Sequence, residues 1–227
     1  MSEPKHHTFA GAAVQRPWDA RLARWLVGPL QDSWVTPNHL TSVRLAAGLA
    51  AAACFTPGTY LWSNLGAVFL VLSNFLDHTD GELARMSGKT SRVGHLYDLL
   101  SDALVTILLF IAISVGVGAT SRTAFEVPVT VMGAVAGTAI ALIFYLRMRI
   151  EDLAGKTATR QASLGGFETE DILYLMPLAT LCNALEPLLL AAAVCAPAYA
   201  SWVVREYRHV VRQPQATSAG STSEVAR

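Results

Sequence analysis

The sequence predicts an all-α protein, a bundle of six transmembrane helices preceded by an amphipathic helix in the membrane interface. Three observations lead there. The 227 residues are 52% hydrophobic and only 15% charged, with a mean hydropathy of +0.39, whereas soluble domains carry about 25% charged residues. Apolar runs recur between short breaks at Pro57-Gly58, at residues 118–124 and at Glu186-Pro187, and a ~30 Å hydrocarbon core needs about 20 helical residues. Finally, of 17 Lys and Arg, only Arg122 falls in a loop on the side opposite the rest, with Arg44 inside a helix. That asymmetry orients a membrane protein with its basic side in the cytoplasm.

Three regions follow. Residues 1–35 hold a disordered start and the interfacial helix, 36–207 the six-helix transmembrane domain, and 208–227 a disordered cytoplasmic tail rich in Ser, Thr, Ala and Gly. Over 17–30, Trp18, Leu22, Trp25 and Leu26 recur at helical spacing while Asp19, Arg21 and Arg24 fall on the other side. That pattern suits a helix lying at headgroup depth, and packing on protein is the alternative. The first 38 residues lack a continuous apolar core, so insertion is expected through the first spanning helix rather than a cleaved leader.

Thr36-Pro37-Asn38 is a helix-start signal, and the first spanning helix is expected over about 40–55. Helix two runs over about 60–85, helix three over 92–117, helix four over 127–150, helix five over 170–182 and helix six over 188–207. Helices one and five are short for a span. An even count puts both termini on the cytoplasmic side. Cys54, Cys182 and Cys195 sit unpaired in apolar runs and read as small hydrophobes. The formal net charge of zero offers nothing to nucleic acid.

The informative stretch is residues 77–102, with Asp77, Asp80, Asp98 and Asp102 between two long apolar runs. A carboxylate near bilayer depth costs several kcal/mol unless it meets a cavity, a partner or a cation. Asp77 and Asp80 stand three apart and Asp98 and Asp102 four apart, so each pair shares a helix face. A turn over 87–91 folds the second pair toward the first. Oxygen-only ligation with no nearby Cys suits Mg²⁺ or Mn²⁺ before Zn²⁺. Gly81, Ala84 and Gly94 leave steric room beside these carboxylates. Arg85 is placed to meet a phosphate with its planar fork. His78, Thr79 and His95 read as structural. A cation-coupled transporter also keeps carboxylates in its membrane span, but it predicts them at the midplane of two matching halves, and no half-repeat is seen.

The spacing Asp77-x2-Asp80-Gly81-x2-Ala84-Arg85-x8-Gly94-x3-Asp98-x3-Asp102 resembles, without departure, the signature of the CDP-alcohol phosphotransferases, integral-membrane enzymes of phospholipid synthesis. The resemblance implies transfer of a substituted phosphate from a CDP-activated donor, CDP-diacylglycerol for preference, to the hydroxyl of a small polar alcohol, with release of CMP. A CDP-choline or CDP-ethanolamine donor with a lipid acceptor is the alternative. It also implies two Mg²⁺ or Mn²⁺ ions on Asp77, Asp80, Asp98 and Asp102, with Asp102 the candidate base. Asp80, Gly81, Ala84, Arg85 and Gly94 would face the nucleotide. Pro37-Asn38-x-Leu40-Thr41-x2-Arg44 is similar to the family's entry into the first helix, where Asn38 and Thr41 approach the nucleotide. The alternative is that they only cap the helix while Arg44 reaches for the interface. Arg147, Arg149, Lys156 and Arg160 are candidates for a phosphorylated acceptor, or simply topogenic charge. Homodimers in a bacterial inner membrane are the further expectation.

Overall fold

A computed structural model describes residues 18–120, 128–154 and 174–212, and the regular elements among them are all helical. They are α1 (Trp18–Val27) with a 3₁₀ turn at Gly28–Leu30, α2 (Pro37–Phe55), α3 (Tyr60–Ser87), α4 (Arg92–Thr120), α5 (Val129–Ala154), α6 (Met176–Leu181) and α7 (Leu185–Arg212).

Local chemistry sets the ends. Thr36 caps α2 in extended conformation, Pro37 opens the helix, and His39 Nδ1 accepts the Thr36 main-chain N–H at 3.2 Å. α3 stops at Gly88, whose φ of +66° is the left-handed geometry glycine tolerates, with its N–H donating to Ala84 O at 3.1 Å. Three residues later Ser91 Oγ accepts the Gly94 N–H at 2.9 Å, which starts α4. The loop between is tied down by Lys89, whose Nζ donates to the carbonyls of Ser33 and Val35 at 2.6 and 3.3 Å.

α2 is the centre of the site half of the bundle. It packs against both α3 and α4, which do not pack closely on each other among the described residues. The small-residue sequence of α2 permits this. A Cβ on Gly48 would lie 2.6 Å from Val105 and 3.1 Å from Ser73 Oγ, so helices on both sides press on it. α5 lies on α4 at Gly133 and Gly137, where a Cβ would collide with the Phe110 carbonyl and Ile107. α7 closes the bundle on α5 through Ile143, Leu146, Ile150, Ala200 and Val203. A second core of Ala51, Phe55, Leu70, Leu109, Ile113 and Leu189 joins α2, α3, α4 and α7.

α4, α5 and α7 are long and apolar enough to cross a membrane. α3, at 28 residues, has the length, but its last third carries the charged motif. Of the fifth expected helix, residues 170–173 lie outside the described ones, and its described part is α6, six residues long. Pro177 stands in its first turn and Asn183, at φ 51°, ends it. Thr180 Oγ1 pins it to α3 by a 2.9 Å bond to Asn64 Oδ1. Helix six begins earlier and ends later than expected, at Leu185 and Arg212, because Pro187 falls in its first turn, where no N–H is needed.

α1 packs on α3 through the buried Ala23 and Val27, while Leu22, Trp25 and Leu26 stay exposed. Of the cysteines, Cys54 is buried as expected, whereas Cys182 and Cys195 are exposed. On a bundle with this much apolar surface, exposure is no bar to a hydrophobe.

Candidate functional site

The turn at 88–91 reverses the chain so that the polar ends of α3 and α4 lie beside the start of α2. Carboxylate oxygens of Asp77, Asp98 and Asp102 then come within 4.8 Å of one another. Like charges at that separation repel by roughly 3 kcal/mol per pair at an effective permittivity near 20, less where solvent reaches them, and all three are only part-buried. Something positive must sit among them.

Within the chain that something is Arg44, about two turns into α2 and only 3% exposed. Its Nη1 pairs with Asp77 Oδ1, and its Nη2 lies 3.0 Å from Asp98 Oδ1 and 3.1 Å from Asp102 Oδ1. Nη2 also donates to the Asp98 main-chain carbonyl at 3.2 Å. The arginine does not reach for the interface; it spans the gap between α3 and α4. Ser73 Oγ holds the backbone below it, donating to Arg44 O at 3.0 Å. Sequence reasoning gave Arg44 no place among the site residues. The available signal was one arginine in an otherwise uncharged helix, which at depth calls for a carboxylate partner.

Asp80 stands apart from the group of three. It is 5% exposed and its Oδ2 accepts a 2.8 Å hydrogen bond from Thr41 Oγ1. The same hydroxyl also lies 3.2 Å from the Pro37 carbonyl of its own helix. Asn38, one turn earlier, lies against Gly94, where a Cβ would sit 2.7 Å from Asn38 Oδ1. At Gly81, by contrast, a Cβ would meet only the Arg85 guanidinium, at 3.6 Å from Nη2. Ala84 is half-buried beside it. Arg85 is 63% exposed and donates to Glu82 Oε1 at 2.9 Å, which leaves its remaining donors facing outward. His78 Nδ1 contacts Asn74 O at 3.0 Å, Thr79 Oγ1 donates to Phe75 O at 2.8 Å, and His95 is exposed.

Of the four acceptor candidates, the two described ones are each paired within the fold. Arg147 joins α5 to α7, with Nη2 donating to Tyr199 Oη at 2.7 Å, Nη1 3.2 Å from Glu206 Oε2, and the guanidinium over the Tyr199 and Trp202 rings at 5.6 and 5.3 Å. Arg149 pairs with Asp152 at 3.6 Å on its own helix. Lys156 and Arg160 lie outside the described residues, as does the 155–173 segment.

The donor set fits a hard divalent ion. It is all oxygen, it converges, and Asp98 Oδ1 is buried without a hydrogen bond, although Arg44 lies close enough to pair with it. Beside the carboxylates opens a cavity of about 400 Å³. Arg44, Ser73, Asn74, Asp77 and Asp102 line it together with Leu70, Val105, Leu109, Phe144, Tyr145 and Met148 of α3, α4 and α5. A charged group and an apolar chain can therefore share one space.

Comparison with known proteins agrees with this arrangement. A family model described as CDP-alcohol phosphatidyltransferase matches residues 34–210. The chain is 29% identical to Cholinephosphotransferase 1 of Gallus gallus over 115 residues, 47% of this chain and 34% of that protein. It is 35% identical to the Archaetidylinositol phosphate synthase of Pyrococcus horikoshii over 83 residues, 36% of this chain and 42% of that one. To the Bifunctional IPC transferase and DIPP synthase of Rubrobacter xylanophilus it is 28% identical over 143 residues, 63% of this chain and 30% of the other. The matched stretches span less than half the length of each of these relatives.

Proposed function

The chain belongs to the CDP-alcohol phosphatidyltransferase family, and from that premise we propose that it moves a phosphatidyl group from CDP-diacylglycerol to the hydroxyl of a small polar alcohol, releasing CMP. The observation that carries this reading is the convergence of Asp77, Asp98 and Asp102, with Asp77 and Asp102 also lining a cavity shared with apolar side chains. A lipid-linked pyrophosphate joins the same two characters.

Asp77, Asp80, Asp98 and Asp102 would hold two Mg²⁺ or Mn²⁺ ions, which when bound neutralise the pyrophosphate and polarise the bond to be broken. Asp102 takes the proton of the acceptor hydroxyl, since an alcohol at neutral pH needs a base. The alcohol oxygen bonds to the β-phosphorus, and the bond from that phosphorus to the bridging oxygen breaks to give CMP. Arg85 offers its outward donors to a phosphate, and the space at Gly81 and Ala84 admits the nucleotide beside it. Asn38 is positioned against Gly94 at the same mouth. Arg147, Arg149, Lys156 and Arg160 as an acceptor site have weaker support, because the first two are already paired within the fold.

The helices α2 to α7 form the membrane domain, with the exposed face of α1 lying at headgroup level. Basic-residue placement puts the carboxylates and both termini on the cytoplasmic side. The apolar outer surface of α7 also suits a homodimer. A second reading has its own observation. Two relatives are named cholinephosphotransferases, which favours a CDP-choline-type donor with a lipid acceptor.

The test is CMP release from membranes containing the chain, supplied with Mn²⁺, either CDP-diacylglycerol or CDP-choline, and a panel of alcohols or diacylglycerol. Release with one pair, lost in Asp102→Asn, is the expected result. No CMP from any pair, at normal expression, sinks the proposal.

A further inference from the structure

Arg44 is a buried charge outside the 77–102 spacing, and the transfer reaction does not use it. Its position is specific. It reaches α3 and α4 from the helix wedged between them, and it pairs with each of the three convergent carboxylates at once. Main-chain contacts hold it from both ends, with Ser73 below its carbonyl and the Asp98 carbonyl beside its fork. Its Nη1 has no aligned hydrogen bond, nor has Asp98 Oδ1, so the pairing satisfies charge more than geometry. An ion pair of that kind gives way to a better partner.

We propose that Arg44 is the resident counter-ion of the carboxylate cluster. It keeps Asp77, Asp98 and Asp102 together before a divalent cation arrives, and it competes with that cation for their oxygens. The guanidinium thereby does two opposed things. It stabilises the metal-free fold by offsetting carboxylate repulsion, and it weakens cation binding, because each oxygen turned to Arg44 must be released or shared. The inference rests on reading these three residues as cation ligands; it does not depend on the donor, the acceptor or the transfer step.

The experiment compares wild type, Arg44→Met and Arg44→Lys, purified in detergent with Mn²⁺ and then treated with chelator. Melting temperature is read with and without Mn²⁺, and Mn²⁺ affinity by the paramagnetic signal of the free ion. Methionine keeps the apolar stem without the charge. In chelator, Arg44→Met should melt lower by about 4 °C or more. It should regain most of that loss on adding Mn²⁺ and bind Mn²⁺ roughly tenfold tighter. Arg44→Lys, a point charge that cannot span three carboxylates, should shift both quantities in the same directions but less.

An unchanged melting temperature in chelator, or Mn²⁺ affinity equal to or weaker than wild type, overturns the proposal. If Arg44→Met does not accumulate folded, Arg44→Lys alone decides by the same criteria. A wild type that binds no Mn²⁺ overturns both this inference and the cation reading above. CMP formation is not measured, so a chain inactive in transfer still passes or fails here on its own terms.

Discussion

Thr41 Oγ1 donates a 2.8 Å hydrogen bond to Asp80 Oδ2, joining α2 to α3 across 39 positions of sequence, and both residues are almost fully buried. A hydrogen bond to a charged acceptor contributes about 1.5–3 kcal/mol. Thr41→Val, nearly the same shape without the hydroxyl, is therefore expected to lose that much stability, while Thr41→Ser keeps most of it. Denaturation of the detergent-purified variants measures the difference. Equal loss in both variants would show that packing of the methyl, not the hydroxyl, matters at this position.

Asp98 and Asp102 stand one turn apart but should answer differently to neutralisation. Asp98→Asn is expected to weaken Mn²⁺ binding, because its Oδ1 is the buried oxygen without a hydrogen bond. Asp102→Asn is expected to lower the rate of CMP release by roughly 10²–10⁴, the usual contribution of a general base. Direct Mn²⁺ binding and CMP release, measured on both variants, separate the roles. Full CMP release in Asp102→Asn would remove it as the base.

Gly133 faces the Phe110 carbonyl where α5 crosses α4. A backbone atom cannot rotate away as a side chain can, so Gly133→Ala must push the helices apart, at a cost of about 1–3 kcal/mol. Gly118→Ala serves as the comparison. Its Cβ would meet only Val129 Cβ, at 3.8 Å, an ordinary contact, and its melting temperature should fall much less. Similar losses in the two would argue against this close crossing.

Arg147 holds α7 to α5 through Glu206, Tyr199 and Trp202. Arg147→Met is expected to cost about 1–2 kcal/mol from the lost cation–ring and ion-pair contacts, seen as a lower melting temperature. Trp202→Leu should reproduce part of that fall. A rise in acceptor KM with no change in melting temperature would instead restore Arg147 to the acceptor site.

Much of this was legible in the chain. The periodic apolar runs gave six of the helices of the described residues, often within a few positions. Spacing alone paired the aspartates on helix faces. The 87–91 region read as a turn, and in the structure Gly88 ends α3 and Ser91 starts α4. Arg147 looked like a free cation because Glu206 and Trp202 are more than fifty positions away.

The sequence by itself determined that the protein is helical, membrane-embedded and equipped with a carboxylate motif, because composition, period and fixed spacing are local properties. Only the tertiary structure decided that α2 wedges between α3 and α4, that Asp80 is held by Thr41 apart from the other three, and that Arg44 is the charge among them. Those facts depend on which helix packs on which, and small residues such as Gly48 permit a close approach without stating to what.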